Sequence, residues 1–194
     1  MPKIETETLA EHRDWRRNQL IEAATEIALE SGGGAVTVSA VAARAGLSRT
    51  SVYEYFASSA DLAADLVLEE LKSFAAELDQ ISSDASDPIE AIDLWIEGSL
   101  KYIADGRHLL AKALNSVDLP RNRATEIGIA HGALLAPLRR RLDSLGIEDV
   151  NFALSLLQGT TDSASKRIEN GDNAELVIKT TREFCIAGIK ALAR

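Results

Sequence analysis

Residues 37–56 constrain the fold more than any other stretch of this 194-residue chain, because they contain two helix starts on either side of one glycine. Thr37 and Ser48 each precede a segment with helical apolar spacing, and a hydroxyl at that position accepts an unpaired backbone N–H group of the helix N-terminus. Gly46 lies between the two segments and adopts a positive φ without a steric penalty, so it can end the first helix and redirect the chain. The stretch therefore predicts two short helices joined by a tight turn.

The second of these predicted helices has one apolar side and one polar side. Val52 and Phe56 are four residues apart and should face inward, whereas polar side chains face outward or flank the seam: Arg49, Thr50, Ser51, Tyr53 and Tyr55. A helix-turn-helix places such a helix in the DNA major groove, where Arg pairs with guanine and Ser or Thr bonds to bases or phosphates. A helical hairpin with a solvated polar face explains the same spacing, so the spacing alone leaves both interpretations open.

The order of residues in this stretch, T-V-x-x-V-A-x-x-A-G-L-S-x-x-x-V-Y-x-Y-F, closely resembles the DNA-binding domain of TetR-family transcriptional regulators. The preceding segment LIEAATEIALESGG resembles the first helix of that family, and the resemblance extends from Leu20 to Leu66. It implies a homodimeric regulator, a repressor released by a small-molecule effector, on a palindromic operator in double-stranded DNA. Many family members have a phosphate-contacting Lys near the start of the fourth helix, where this sequence has Ser59.

The DNA-binding prediction is specific about side chains. We expect the outward residues of the second helix to contact bases or to lie beside them, and others to contact phosphates. The predicted DNA-binding residues are Thr37, Ser48, Arg49, Thr50, Ser51, Tyr53, Tyr55 and Arg13. A cluster of Arg13, Arg16 and Arg17 lies near the start of the first helix, where it either approaches phosphates or is simply exposed.

The net charge of −9 limits how strongly such a surface attracts DNA. Residues 1–60 carry six Lys or Arg against eight Asp or Glu, which gives −2, and the remainder carries fifteen against twenty-two, which gives −7. The distribution of charge matters more than the sum. A mildly basic face predicts few phosphate contacts, modest non-specific affinity and a shallow dependence on salt.

The composition indicates a globular helical protein outside the membrane. Hydrophobic residues make up 46% and charged residues 26% of the chain, and no apolar run approaches the ~20 residues of a membrane-spanning helix. The N-terminus lacks the apolar core of a secretory signal. The single cysteine, Cys185, excludes an internal disulfide and lies on an apolar stripe, so it should be a buried small side chain in a reducing compartment. We therefore expect a cytoplasmic protein.

Helical periodicity continues to the end of the chain and predicts an all-α fold of about nine helices. A helix-turn-helix DNA-binding domain (1–57) should precede an effector-binding and dimerisation domain (58–194). Ser58 and Asp61 fit a capping box, and Pro88 should open the fifth helix. Pro137 should bend or interrupt the seventh helix. Three consecutive arginines at 139–141 could bind phosphate, although a solvated helix face explains them as well.

The resemblance implies a small-molecule pocket in the second domain, lined by apolar residues and a few polar anchors. Its candidate residues are Trp95, Ser99, Tyr102, His108, Asn115, His131, Leu135, Phe152 and Leu156, and plain core packing explains each of them equally well. The last two helices, about 148–170 and 173–193, should form the dimer interface. Its candidate residues are Gly159, Ser163, Phe184 and Gly188, for which intrachain packing is the alternative.

The motifs of hydrolases and metal sites are absent from the sequence. It contains no H-E-x-x-H, no G-x-S-x-G and no paired-cysteine spacing, and its three histidines are far apart. We predict neither enzymatic activity nor a bound metal or other cofactor. The alternative to direct operator binding is a ligand-binding dimer that acts through a protein partner.

Overall fold

The computed structural model describes residues 9–114 and 117–193, and every regular element in these ranges is helical, so the predicted all-α class is confirmed. Two short 3-10 turns, Gly33–Ala35 and Arg121–Arg123, accompany the longer helices. The α-helices are α1 (Leu9–Ser31), α2 (Val38–Arg44), α3 (Arg49–Tyr53), α4 (Ser59–Ser83), α5 (Pro88–Ala104), α6 (Leu109–Leu114), α7 (Ala124–Ser144), α8 (Val150–Glu169) and α9 (Ala174–Leu192). None of the described helices combines the length and apolar character needed to cross a membrane.

One compact unit contains the chain up to Glu70 together with Leu109–Ile127. Here α1 packs against α2 and α6, and α2 packs against α3. The side chains that the sequence pattern turns inward form a single buried cluster, joined by two leucines of α6. Its main members are Leu20, Ala24, Ile27, Ala28, Val38, Val41, Ala42, Val52, Phe56, Leu62, Leu66, Leu110 and Leu114.

The glycines after α1 allow α6 to approach the chain closely. Gly32 has φ of 81°, and a Cβ atom built on Gly33 would lie 2.4 Å from the backbone oxygen of Ala113. Real Cβ atoms do not approach a carbonyl oxygen that closely, so only glycine fits at this position. The Gly32–Gly34 segment therefore follows the end of α1 and also allows the backbone of α6 to approach closely.

The second unit contains Leu71–His108 and the described residues from Gly128 onward. In this unit α5 packs against both α8 and α9, and those two helices pack against each other. Ile92, Ile96 and Leu100 of α5 are fully buried, as their spacing predicts. Arg182 of α9 holds Asp93 through two hydrogen bonds and lies 2.7 Å from Glu97, and its pKa is raised by the bonds to Asp93.

Pro137 does not interrupt α7, which is one helix from Ala124 to Ser144. The prediction of an interruption was wrong because buried contacts hold the turn around the proline in place. Pro137 itself is buried, and the Trp95 indole N–H donates to the carbonyl of Leu134 at 3.0 Å. The carbonyl that loses its helical partner at Pro137 is that of Ala133, so the bond to Leu134 anchors this turn but does not replace the missing one.

The three arginines after Pro137 bond to the protein. Arg139 donates to Asn151, Arg140 pairs with Asp79, and Arg141 donates to the backbone oxygens of Ser82 and Ala85 at 3.0 and 3.2 Å. Arg141 therefore satisfies carbonyls at the end of α4.

The compact units also differ from the predicted division at residues 57/58, because α6 and the first part of α4 pack with the N-terminal helices.

Candidate nucleic-acid interface

Both caps predicted for the helix-turn-helix are present. The Thr37 hydroxyl accepts a hydrogen bond from the backbone N–H of Ala40, and the Ser48 hydroxyl accepts one from that of Ser51, each at 3.1 Å. Gly46 has φ of 66°. These local bonds fix where α2 and α3 begin, and α3 then presents its outer side chains from a defined backbone.

Three side chains of α3 project outward without an intrachain partner. Arg49, Thr50 and Tyr53 are exposed, and no other described residue bonds to their side chains. Ser51 is half-buried, and its hydroxyl lies 2.9 Å from the hydroxyl of Ser48. The hydroxyls of Ser48 and Ser51, both predicted to bind DNA, therefore already contact each other, and that of Ser48 also caps α3.

The start of α1 lies beside the end of α3. The Arg13 guanidinium carbon is 6.0 Å from the ring centre of Tyr55, so two predicted phosphate contacts are close together. One turn later, the Arg17 guanidinium carbon is 5.8 Å from the ring of Phe56. Cation–π contacts of this length hold an arginine near an aromatic face while leaving its N–H groups available.

Several arginines of this unit are already neutralised by carboxylates. Arg44 bonds to Glu26 at 3.0 Å and to Glu30 at 2.6 Å, and the bond to Glu30 holds the pKa of that carboxyl below its usual range. Arg17 pairs with Asp65 at 2.8 Å. Among the described residues, Arg13, Arg16 and Arg49 have no carboxylate partner. The surface therefore offers few cations to phosphates, as its charge predicts.

Ser59 has an internal function that its sequence position did not reveal. Its hydroxyl accepts a hydrogen bond from the backbone N–H of Val38 at 3.1 Å. Val38 is the first residue of α2, so Ser59 satisfies one of the unpaired donors at that helix start. Where many resembling proteins have a lysine, this chain has a side chain that ties α4 to the helix-turn-helix.

The candidate pocket residues do not all converge. Trp95 and Tyr102 are buried, and Tyr102 stacks on Phe74 with ring centres 3.9 Å apart. Ser99 donates to the backbone oxygen of Ile96, and Leu135 is half-buried against the core. These four side chains are buried or half-buried, and each already packs against or bonds to its own unit.

Three other candidates do not face inward. His131 is exposed, and Phe152 and Leu156 are 61% and 50% exposed. The prediction failed for the two apolar residues because α8 buries the neighbouring stripe of Ala153, Leu154 and Leu157. His108 is partly buried with its Nε2 atom 3.0 Å from Glu169. Asn115 lies outside the described residues.

The outer faces of α8 and α9 expose large apolar side chains together with small residues. Leu176 and Phe184 are 63% and 68% exposed, and they line a groove of ≈ 500 Å³ between the two helices. The candidate interface residues Gly159, Ser163 and Gly188 are also exposed. Exposed apolar side chains grouped in this way mark an interaction surface more often than isolated ones do.

Other reactive groups do not form a site. Among the described residues, no three His, Cys, Asp or Glu side chains lie close enough together to hold a metal ion. Cys185 is buried, and burial raises the pKa of its thiol to about 11. A thiol with such a pKa is a poor nucleophile at neutral pH.

Comparisons with known proteins agree with this architecture. Residues 20–66 match the family model described as bacterial regulatory proteins, tetR family. The fold is similar to that of the transcriptional regulator FadR from Bacillus subtilis, solved in complex with stearoyl-CoA. That comparison has a TM-score of 0.72 at 23% identity and covers 88% of this chain and 98% of that one.

Two further solved structures have similar folds. The fatty acid degradation regulator FadR from Bacillus halodurans has a TM-score of 0.65 at 22% identity, with coverage of 92% and 97%. The TetR family regulator PfmR from Thermus thermophilus has a TM-score of 0.67 at 20% identity, with coverage of 87% and 97%. The comparison with curated proteins gives no match. Residues 20–66, which contain the helix-turn-helix, are thus similar to the DNA-binding segment of bacterial regulatory proteins of the tetR family.

Proposed function

We propose that this regulator binds a palindromic operator as a homodimer and acts as a repressor that an effector releases. The observation that carries the proposal is the outer face of α3, where Arg49, Thr50 and Tyr53 have no partner among the described residues. Arg pairs bidentately with guanine, and Thr and Tyr hydroxyls bond to bases or phosphates. Helix capping uses Thr37 and Ser48 instead, so the three outward side chains remain available to DNA.

The exposed faces of α8 and α9 support the dimeric form. A second copy packed there would cover Phe152, Leu156, Leu176 and Phe184, which are all at least half exposed. The same patch on both protomers would then form a two-fold interface. The two α3 helices would enter successive major grooves about 34 Å apart, which requires a palindromic site.

Few free cations imply a modest electrostatic component of DNA binding. If Arg13 and Arg16 of each protomer each neutralise one phosphate, a dimer makes about four such contacts, and the slope of log K against log salt concentration would be about −4. Most of the specificity must therefore come from base contacts and shape.

The effector should act by preferring a conformer that fits the operator poorly, since only differential affinity shifts such an equilibrium. The similar regulator from Bacillus subtilis was solved with stearoyl-CoA. An acyl-CoA thioester is therefore the first effector class to test on this chain. The expected readout is release of bound operator by stearoyl-CoA and retention of the operator with free CoA.

The charge distribution favours one alternative, a ligand-binding dimer that acts through a protein partner. The net charge is −9, and Arg17 and Arg44 are already paired with carboxylates. A footprint on operator DNA made by the purified protein alone would exclude this alternative. A footprint that requires added cell extract would support it.

Two arginine substitutions test how the sequence is recognised. Arg49→Ala should relax discrimination at one operator position by ~1–3 kcal/mol, because a bidentate base contact is lost. Arg13→Ala is the matched control and should weaken binding to all operator variants uniformly, since it removes a phosphate contact. Affinities for a panel of single-base operator variants measure both effects. If Arg49→Ala kept the wild-type rank order with unchanged discrimination, α3 would not recognise bases through this side chain.

A further inference from the structure

Asp65 of α4 receives two arginines from different parts of the N-terminal unit. Its Oδ2 atom accepts a hydrogen bond from Arg17 of α1 at 2.8 Å, and its Oδ1 atom accepts one from Arg123, just before α7. The Asp65 side chain is 17% exposed and that of Arg123 is 20% exposed. One largely buried carboxylate thus joins α1, α4 and the start of α7.

The contacts of Asp65 extend, through Arg17, to the end of α3. The Arg17 guanidinium that bonds to Asp65 also lies over the ring of Phe56, and Phe56 is 2% exposed. The backbone N–H groups of Tyr55 and Phe56 both donate to the carbonyl of Val52 in α3 at 3.0 Å. Asp65 is therefore connected, through Arg17 and then Phe56, to the backbone at the end of α3.

Arg123 is held on its other side as well. Its Nε atom donates to Glu126 at 2.7 Å, and the bonds to Asp65 and Glu126 both raise its pKa, that to Asp65 more. Its guanidinium consequently stays charged and fixed between α4 and the first turn of α7. α7 then continues as one helix into residues of the second unit.

We infer that Asp65 is a positioning residue for operator binding: through Arg17 and Arg123 it fixes α1 and the start of α7 on α4, and thereby the orientation of α3. The effect on operator binding rests on the proposed function, whereas the structural role of Asp65 rests on the contacts described above. Removing a partner from a largely buried charge leaves the remaining charges uncompensated.

Arg123→Met tests the inference, because it keeps the apolar stem and removes the guanidinium. Arg140→Met is the matched control, since Arg140 also joins α7 to α4, through an exposed pair with Asp79 in the second unit. Hydrogen exchange of the DNA-free protein is the first readout. Arg123→Met should raise exchange at the Tyr55 and Phe56 amides and in α1 around Arg17, and Arg140→Met should leave these amides unchanged.

Operator affinity is the second readout. Arg123→Met should weaken specific binding about tenfold, as couplings between contacting charged residues commonly do, with little change in non-specific binding. Arg123→Lys, which restores charge without the fork of donors, should recover part of the loss. Unchanged exchange at Tyr55 and Phe56 in Arg123→Met would overturn the inference. If the wild-type protein selected no operator, the proposed function would fail, and the exchange comparison would still decide the role of Asp65.

Discussion

At the scale of single residues, Gly33 shows how one backbone position limits the packing of a helix. The Cβ atom of an alanine there would meet the Ala113 oxygen at 2.4 Å and the Val117 methyl at 2.9 Å. Gly33→Ala should therefore lower the free energy of unfolding by ~1–3 kcal/mol, because the backbone of α6 must move to relieve the overlap. Urea unfolding measures the change.

Gly34→Ala is the control for this prediction, because nothing lies within 4 Å of its Cβ position and its φ is not in the left-handed region. That substitution should be neutral or stabilising by up to ~1 kcal/mol, since alanine reduces the entropy of the unfolded chain. Equal loss of stability in both variants would mean that an alanine anywhere in the Gly32–Gly34 segment is destabilising, and that the contact of Gly33 with Ala113 is not the cause.

Cys185 makes stability depend on alkaline pH. The folded protein raises the thiol pKa from 9.0 to about 11, so between these values the thiolate forms only in the unfolded state. The stabilising effect is complete below pH 9.0 and is lost as pH rises toward 11, by up to about 3 kcal/mol. Cys185→Ala should remove this part of the pH dependence, as measured by urea unfolding across the window. Identical alkaline profiles would contradict the prediction.

The residues that could be predicted from the sequence are those whose partners are close in the chain. Thr37, Ser48 and Ser58 each bond a backbone N–H three residues later, and a cap of this kind is visible in the local sequence. The bonds of Arg44 to Glu30 and of Arg123 to Asp65 join positions far apart in sequence. Only the folded chain identifies which carboxylates neutralise which arginines, so the charge predicts few free cations at the proposed DNA face but not which arginines they are.

At the scale of helices, a boundary could be predicted where a capping residue or a proline marks it in the sequence. α5 begins at Pro88 as predicted, because Asp87 caps it and Pro88 opens it. Among the described residues, α6 spans Leu109–Leu114, and its Leu110 and Leu114 are buried against the N-terminal core. A helix this short is stabilised by tertiary contacts rather than by helix propensity.

The apolar faces of α8 and α9 give a prediction about assembly. Phe184→Glu should weaken the proposed dimer by about 2 kcal/mol or more, because a charge would be buried at its interface. The protomer should remain folded, since Phe184 is 68% exposed within it. Sedimentation equilibrium measures the shift from dimer to monomer.

Ile129→Glu is the matched control, because Ile129 is 70% exposed on α7 and lies outside the α8–α9 face. It should leave the mass in solution unchanged. Loss of the dimer in Ile129→Glu, with retention in Phe184→Glu, would place the interface on α7 instead.

At the scale of the whole molecule, the chain combines a net charge of −9 with an N-terminal unit in which Arg17, Arg44 and Arg123 are paired with carboxylates. The all-α fold and the helix-turn-helix were predictable, because periodicity and caps are local properties of the sequence. Whether a pocket candidate faces inward or outward was harder to predict. Phe152 and Leu156 are exposed because the same helix has a buried apolar stripe and a second, exposed apolar stripe. An operator-binding dimer is the account that joins these features.

Selection of random duplex DNA by the purified protein, repeated at two salt concentrations, tests that account most directly. We predict a palindromic consensus that survives at the higher salt concentration, with half-sites about 10 base pairs apart or at a multiple of that spacing. Enrichment without a consensus, lost at the higher salt concentration, would contradict the account. It would mean that only backbone attraction remains and that the regulator depends on a protein partner for its target.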